Sequence, residues 1–226
     1  MASKRLETRP YGPPMRHLNP IDQLIMQSDH ALRTLFGSPA ITERNNPSDG
    51  INENNATDGE RKLSAGLMRV NHAGEVSAQA LYQGQALTAH LEDVRQSMER
   101  AALEENDHLA WTEQRLYELS SHKSILNPIW YSGSFAIGAV AGLLGDKWSL
   151  GFVAETEHQV IKHLDEHLSK LPVQDARSEA VLKQMKVDEA HHATVAIEGG
   201  GAELPQPVKK LMSVMSKVMT TSAYYI

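Results

Sequence analysis

Residues 102–111 read ALEENDHLAW, and a shorter echo, DEAHHA, occupies residues 188–193. Each contains Glu-x-x-His, pairing Glu105 with His108 and Glu189 with His192. Residues three apart on an α-helix differ by about 300° of rotation, hence about 60° around the axis, so each pair can reach one shared centre. Spacing alone is weak evidence, because a third Glu-x-x-His falls at Glu155 and His158.

The wider arrangement is stronger. Glu75 precedes Glu105 by 30 residues, and Glu157 precedes Glu189 by 32. Four segments of helix-favouring composition and 3.6-residue periodicity carry these residues: 59–90, 91–120, 147–171 and 175–198. Pro172 separates the third from the fourth, and Gly199, Gly200 and Gly201 stop the fourth. Short junctions make the first and second helices, and the third and fourth, antiparallel neighbours. Two hairpins that each offer a Glu plus Glu-x-x-His are the signature of ferritin-like di-iron and di-manganese four-helix bundles. The expected fold class is therefore all-α.

Four carboxylates contribute about −4 and two divalent ions about +4, so a core unable to bury either set alone can hold both. Imidazole with carboxylate suits iron or manganese better than calcium, which takes oxygen alone, or structural zinc, which takes tetrahedral N/S ligands. Two iron ions per chain are the first choice, held by Glu75, Glu105, His108, Glu157, Glu189 and His192. Val70, Ala73, Ala78 and Leu81 around Glu75 suggest a core-facing position. Glu155 competes with Glu157 for the third-helix role, and spacing leaves the choice open. Glu104, His72, His163 and His191 adjoin the set and suit supporting or surface positions better than direct ligation.

Composition narrows the function classes. A chain of 226 residues fits one folded domain, with or without tails. A net charge of −6 and no basic cluster with interleaved aromatics argue against nucleic acid. With no cysteine, any metal must use histidine and carboxylate. Met1–Pro10 is basic but precedes no continuous apolar segment, so it does not read as a secretory signal, and a cytoplasmic location is the default. Residues 41–58, ITERNNPSDGINENNATD, read as a polar linker. The expected division is an N-terminal arm and linker over 1–58 and the main domain over 59–226. Ile21, Leu24, Ile25 and Leu32 give the arm a short amphipathic spacing with no assigned chemistry.

Two apolar elements stand apart. Residues 124–145 carry no charge and include IWYSGSFAIGAVAGLL, about 16 membrane-compatible positions where a span needs about 20. A monotopic or re-entrant element is expected, with Trp130, Tyr131 and Trp148 as interfacial aromatics and Gly138 and Gly142 allowing close helix approach. The C-terminal PVKKLMSVMSKVMTTSAYYI sets Val208, Leu211, Met212, Met215, Val218 and Met219 on one face, away from Lys209, Lys210 and Lys217. This resembles an interfacial helix, although a fifth helix packing a methionine stripe on the bundle would look alike.

RVNHAGEVSAQALYQGQ, ALEENDHLAW, the run LLGDKWSLGFVAETE and DEAHHA occur in the order that resembles the bacterial demethoxyubiquinol hydroxylase family, from about Leu63 to the C-terminus. The resemblance implies a membrane-associated di-iron monooxygenase of ubiquinone biosynthesis, which uses O2 to hydroxylate a polyprenylated demethoxy-quinol. It implies Glu75 as terminal ligand and His108 as ligand of the first iron, Glu157 (in preference to Glu155) and His192 on the second, and Glu105 and Glu189 as bridges. It also implies peripheral or monotopic attachment to the cytoplasmic face of the inner membrane, and leaves a homo-oligomer or a biosynthetic complex open. Leu164 departs from the tyrosine of eukaryotic members, so no redox role of that tyrosine carries over. Two rival classes are a ferritin- or rubrerythrin-like iron or peroxide-handling protein and a metal-free lipid-binding scaffold. The uncharged insert argues against the first, and the six ligand-type residues argue against the second.

Overall fold

The computed structural model describes residues 19–39, 42–53 and 56–226, so the reading of Met1–Pro10 and the side chain of Leu24 fall outside it. Among the described residues there are seven helices and no strand: α1 (Pro20–Phe36), α2 (Asp58–Thr88), α3 (Glu92–Glu118), α4 (Asn127–Leu143), α5 (Asp146–Lys170), α6 (Ala176–Glu198) and α7 (Gln206–Tyr225). Hairpins α2–α3 and α5–α6 form the four-helix bundle, and α4 and α7 lie against α2.

Helix α2 is the central element. It starts at a reciprocal cap in which Thr57 and Glu60 satisfy each other's backbone N–H groups. From Ser64 to Ala86 every residue is buried except the half-buried Gly74 and Ser77. Small residues let the neighbours come close on all sides. A Cβ on Gly84 would stand 2.3 Å from the Phe135 carbonyl oxygen, and one on Gly138 would stand 2.2 Å from that of Leu81. The insert therefore packs backbone to backbone on α2, which is the use its Gly-x-x-x-Gly spacing allows.

Polar groups lock the ends. Arg115, 1% exposed, donates to Ser178 Oγ and Asp175 Oδ1 at 2.9 Å each, and also contacts Glu118 and Glu53. Asp175 in turn caps α6 through the Ser178 N–H. One guanidinium thus joins α3, the start of α6 and the polar segment before α2. That segment is laid along the bundle rather than standing clear of it: Glu43 N–H donates to Asp107 and Asn46 to Gln114. Its contacts are polar, so hydrophobic periodicity carried no trace of them.

No described helix is both long and apolar enough to cross a membrane. Outward faces of α4 and α7 nevertheless expose Ile129, Val140, Leu143, Leu211, Val214 and Val218. Met212 and Met219 of α7 turn instead toward α2 and α5, so the expected single stripe divides into an outer and an inner face.

Substituting Gly138 with Ala is expected to destabilise the protein by about 1–3 kcal/mol, the range for forcing an extra carbon into a packed contact. Urea unfolding reads this as a lowered midpoint, and an unchanged midpoint would contradict the α2–α4 contact.

Candidate metal centre

The six candidate ligand residues converge between the hairpins. Glu75 comes from α2, Glu105 and His108 from α3, Glu157 from α5, and Glu189 and His192 from α6; none is more than 6% exposed. Two groups have donor atoms within 4.8 Å of one another: Glu75, Glu105, His108 and Glu189, and Glu157, Glu189 and His192. His108 Nδ1 lies 2.9 Å from Glu105, 3.3 Å from Glu75 and 3.2 Å from Glu189. His192 Nδ1 lies 3.1 Å from Glu189 and 3.4 Å from Glu105. Glu105 and Glu189 are thus the carboxylates that face both imidazoles.

The neighbours fall elsewhere. Glu155 pairs with Lys209 at 3.2 Å, and His158 is exposed. His72 approaches Asn127, His163 packs tilted against His167 at 3.9 Å between ring centroids, and His191 is exposed. Glu104 is different: its Oε2 lies 2.7 Å from His192 Nε2. Asp188 does the same for His108 Nε2 at 2.9 Å. Both contacts cross between hairpins, from α3 to α6 and back. Spacing alone overlooks this role, but each Glu-x-x-His is preceded directly by a second acid, and that doubled acid is the available signal. Tyr82 was also unmarked; buried on α2, its hydroxyl donates to Glu157 Oε1.

Protons and charges balance within the cluster. Burial, with Glu105 nearby, pushes the Glu75 carboxyl well up, and burial with Glu189 does the same to Glu157. Burial opposes the charge on Glu105, yet charged His108 holds that carboxyl well below its usual range. Burial likewise opposes charge on the imidazoles, but the surrounding carboxylates raise His108 well above normal and push His192 up to about 12. Buried Glu157 Oε2 accepts no hydrogen bond, and Glu105 Oε1 has only the His192 imidazole at 3.4 Å. Buried oxygens of this kind are costly unless a cation or donor meets them, so the donor set fits hard divalent ions of the iron and manganese type.

Two cavities flank α2. One, about 310 Å³, lies between α2, α4, α5 and α7; it reaches Glu75 and is walled by Leu81, Ile137, Phe152, Leu164, Met212 and Met219. The other, about 560 Å³, lies beneath α1 and is more polar, with Gln79, Gln83 and Asn106 in its wall and Tyr82 at its border. The larger cavity touches none of the six residues; the smaller one does.

Residues 62–223 match the family model described as ubiquinone biosynthesis protein COQ7. The chain is 61% identical over 211 residues to a Nitrosococcus oceani protein named 3-demethoxyubiquinol 3-hydroxylase, covering 93% of this chain and 99% of that one. Relatives of the same name from Nitrosomonas eutropha and Acinetobacter baumannii are 58% and 56% identical, over 91% and 94% of this chain and 99% and 100% of theirs. Match length, motif order and helical architecture agree, and the chain belongs to the COQ7 family of ubiquinone biosynthesis proteins.

Proposed function

We propose that this protein is a di-iron monooxygenase that hydroxylates a polyprenylated demethoxy-benzoquinol in ubiquinone biosynthesis, with O2 as oxidant. The observation that carries this reading is the apolar cavity that ends at Glu75, beside a buried set of four carboxylates and two imidazoles. A quinol ring is small and flat and its tail is apolar, and a mostly apolar pocket with few polar groups is the kind of site that holds such a ligand. A ferritin- or rubrerythrin-like protein has no need of that cavity, and a metal-free scaffold has no need of the buried acids.

In this reading Glu75, Glu105 and His108 would hold one metal ion and Glu157, Glu189 and His192 the other, with Glu105 and Glu189, which face both imidazoles, available to both. Two iron(II) ions held there would supply Lewis acidity and two electrons to O2, with an external reductant restoring them and two protons taken up, so that one oxygen atom enters the ring and the other leaves as water. The protein's own residues prepare the site. Asp188 and Glu104 accept from the Nε2 side of the two imidazoles, which leaves each Nδ1 facing the carboxylates. Tyr82 fixes one oxygen of Glu157 and leaves the other free of hydrogen bonds. Leu81, Phe152 and Leu164 keep the ring's surroundings dry, which strengthens every charge interaction nearby.

The exposed apolar faces of α4 and α7 rest on the membrane surface in this reading, peripherally and on the cytoplasmic side, so that the tail enters between them without crossing water. Residues 59–226 form the catalytic domain, and 1–58 an appended arm and linker.

Full-length protein reconstituted with Fe(II), reductant, O2 and a prenylated demethoxy-quinol is expected to yield a product heavier by one oxygen atom, labelled from 18O2. Glu105→Ala should lower turnover by at least about 100-fold, as expected when a metal ligand rather than its support is lost. Undiminished turnover by iron-free protein would overturn the assignment.

Metal loading is expected to release protons. Metal ligands bind deprotonated, whereas burial beside other carboxylates raises the Glu75 and Glu157 carboxyls and the surrounding carboxylates raise His108 and His192, so all four hold their protons more tightly than usual. Affinity for Fe(II) should therefore weaken as pH falls. Calorimetry in two buffers of different ionisation enthalpy measures the proton count, and zero release would contradict this charge arrangement.

A further inference from the structure

The carboxylates behind the two imidazoles are themselves held, and the two holding chains end on adjacent residues. Asp188 Oδ2, which meets His108, also accepts from Arg44 Nη1 at 2.8 Å. Glu104, which meets His192 through Oε2, accepts through Oε1 from Arg100 Nε at 2.7 Å. The outer edge of Arg100 is gripped by both oxygens of Glu43, at 3.0 and 2.5 Å. Arg44 and Glu43 are anchored on one buried carboxylate: Asp107 accepts from Arg44 Nε and from the Glu43 backbone N–H, each at 2.8 Å. The Arg44 guanidinium lies 4.9 Å from the centroid of Trp111, whose ring packs against His108. Neighbouring residues of the segment before α2 thus terminate one chain, Arg44 to Asp188 to His108, and a second, Glu43 to Arg100 to Glu104 to His192.

An exposed ion pair alone contributes little. Here the pairs do something else: a planar guanidinium meeting a carboxylate fixes its direction as well as its charge, and each such carboxylate sets the orientation of a ligand imidazole. Glu43 and Arg44 lie outside residues 62–223, the part matched by the family model. Resting on the two-metal reading above, we propose that Glu43 and Arg44 are positioning residues, each steadying the histidine of one metal ion, so that the N-terminal segment controls how firmly both ions are held.

The test uses full-length protein loaded anaerobically with two equivalents of Fe(II), then mixed with excess ferrous chelator while absorbance follows release. In Arg44→Gln one ion per chain should leave about 10-fold faster, at the lower end of the effect of outer groups on metal affinity. In Glu43→Gln one ion should also leave faster, and in the double variant both should. Arg44→Lys, which keeps the charge but not the fork, should fall between wild type and Arg44→Gln. Metal-free Glu43→Gln, which loses only an exposed ion pair, should melt at the wild-type temperature. Wild-type release rates in all variants would overturn the proposal. So would a double variant that frees only one ion quickly, or faster release matched by a lowered melting temperature of metal-free Glu43→Gln, which would make the segment a structural strap only. Failure of the wild-type protein to bind two ions would instead overturn the two-metal reading.

Discussion

Everything in this molecule answers to the burial of Glu75, Glu105, Glu157 and Glu189 in the middle of a helical bundle. Each buried ion carries a desolvation cost of several kcal/mol unless opposite charge and hydrogen bonds meet it in good geometry. The cluster meets this demand with imidazoles from α3 and α6, with the Glu75 and Glu157 carboxyls shifted toward their neutral form, and with polar partners from neighbouring helices. A bundle filled only with aliphatic side chains would be easier to fold and would have no reason to bring six such groups together.

The outer carboxylates make the two hairpins interdependent. Asp188 of α6 serves His108 of α3, and Glu104 of α3 serves His192 of α6. Neither hairpin carries a complete environment for its own histidine. Packing of α3 against α6 and orientation of the ligands are therefore one event, and Arg115 repeats the logic at the bundle's end by binding α3 to the cap of α6.

Much of this was legible in the residues. The period of 3.6 and the Pro172 and glycine stops placed α2, α3, α5 and α6 within a few residues, because these helices obey local rules. The Glu-x-x-His pairs and the matching intervals pointed to the six residues that the fold brings together. Spacing left Glu155 and Glu157 open, because residues two apart on a helix point about 200° apart and either could have faced inward; only the family resemblance preferred Glu157. The structure puts Glu157 in the core and Glu155 on Lys209. Partners separated by long stretches of chain, such as Tyr82 with Glu157 or Arg44 with Asp188, leave no periodic mark. The polar segment before α2 was the least legible for the same reason: composition reports what a segment cannot bury, not which charges it meets.

The contact of α4 with α2 has a mechanical side. Where Gly84 and Gly138 bring the two backbones together, no compliant side chain lies between them to absorb displacement. That contact lies about two turns along α2 from Glu75. The insert is thus less a cover than a fixed part of the pocket wall, because a shift of α4 at these glycines would have to carry α2 with it.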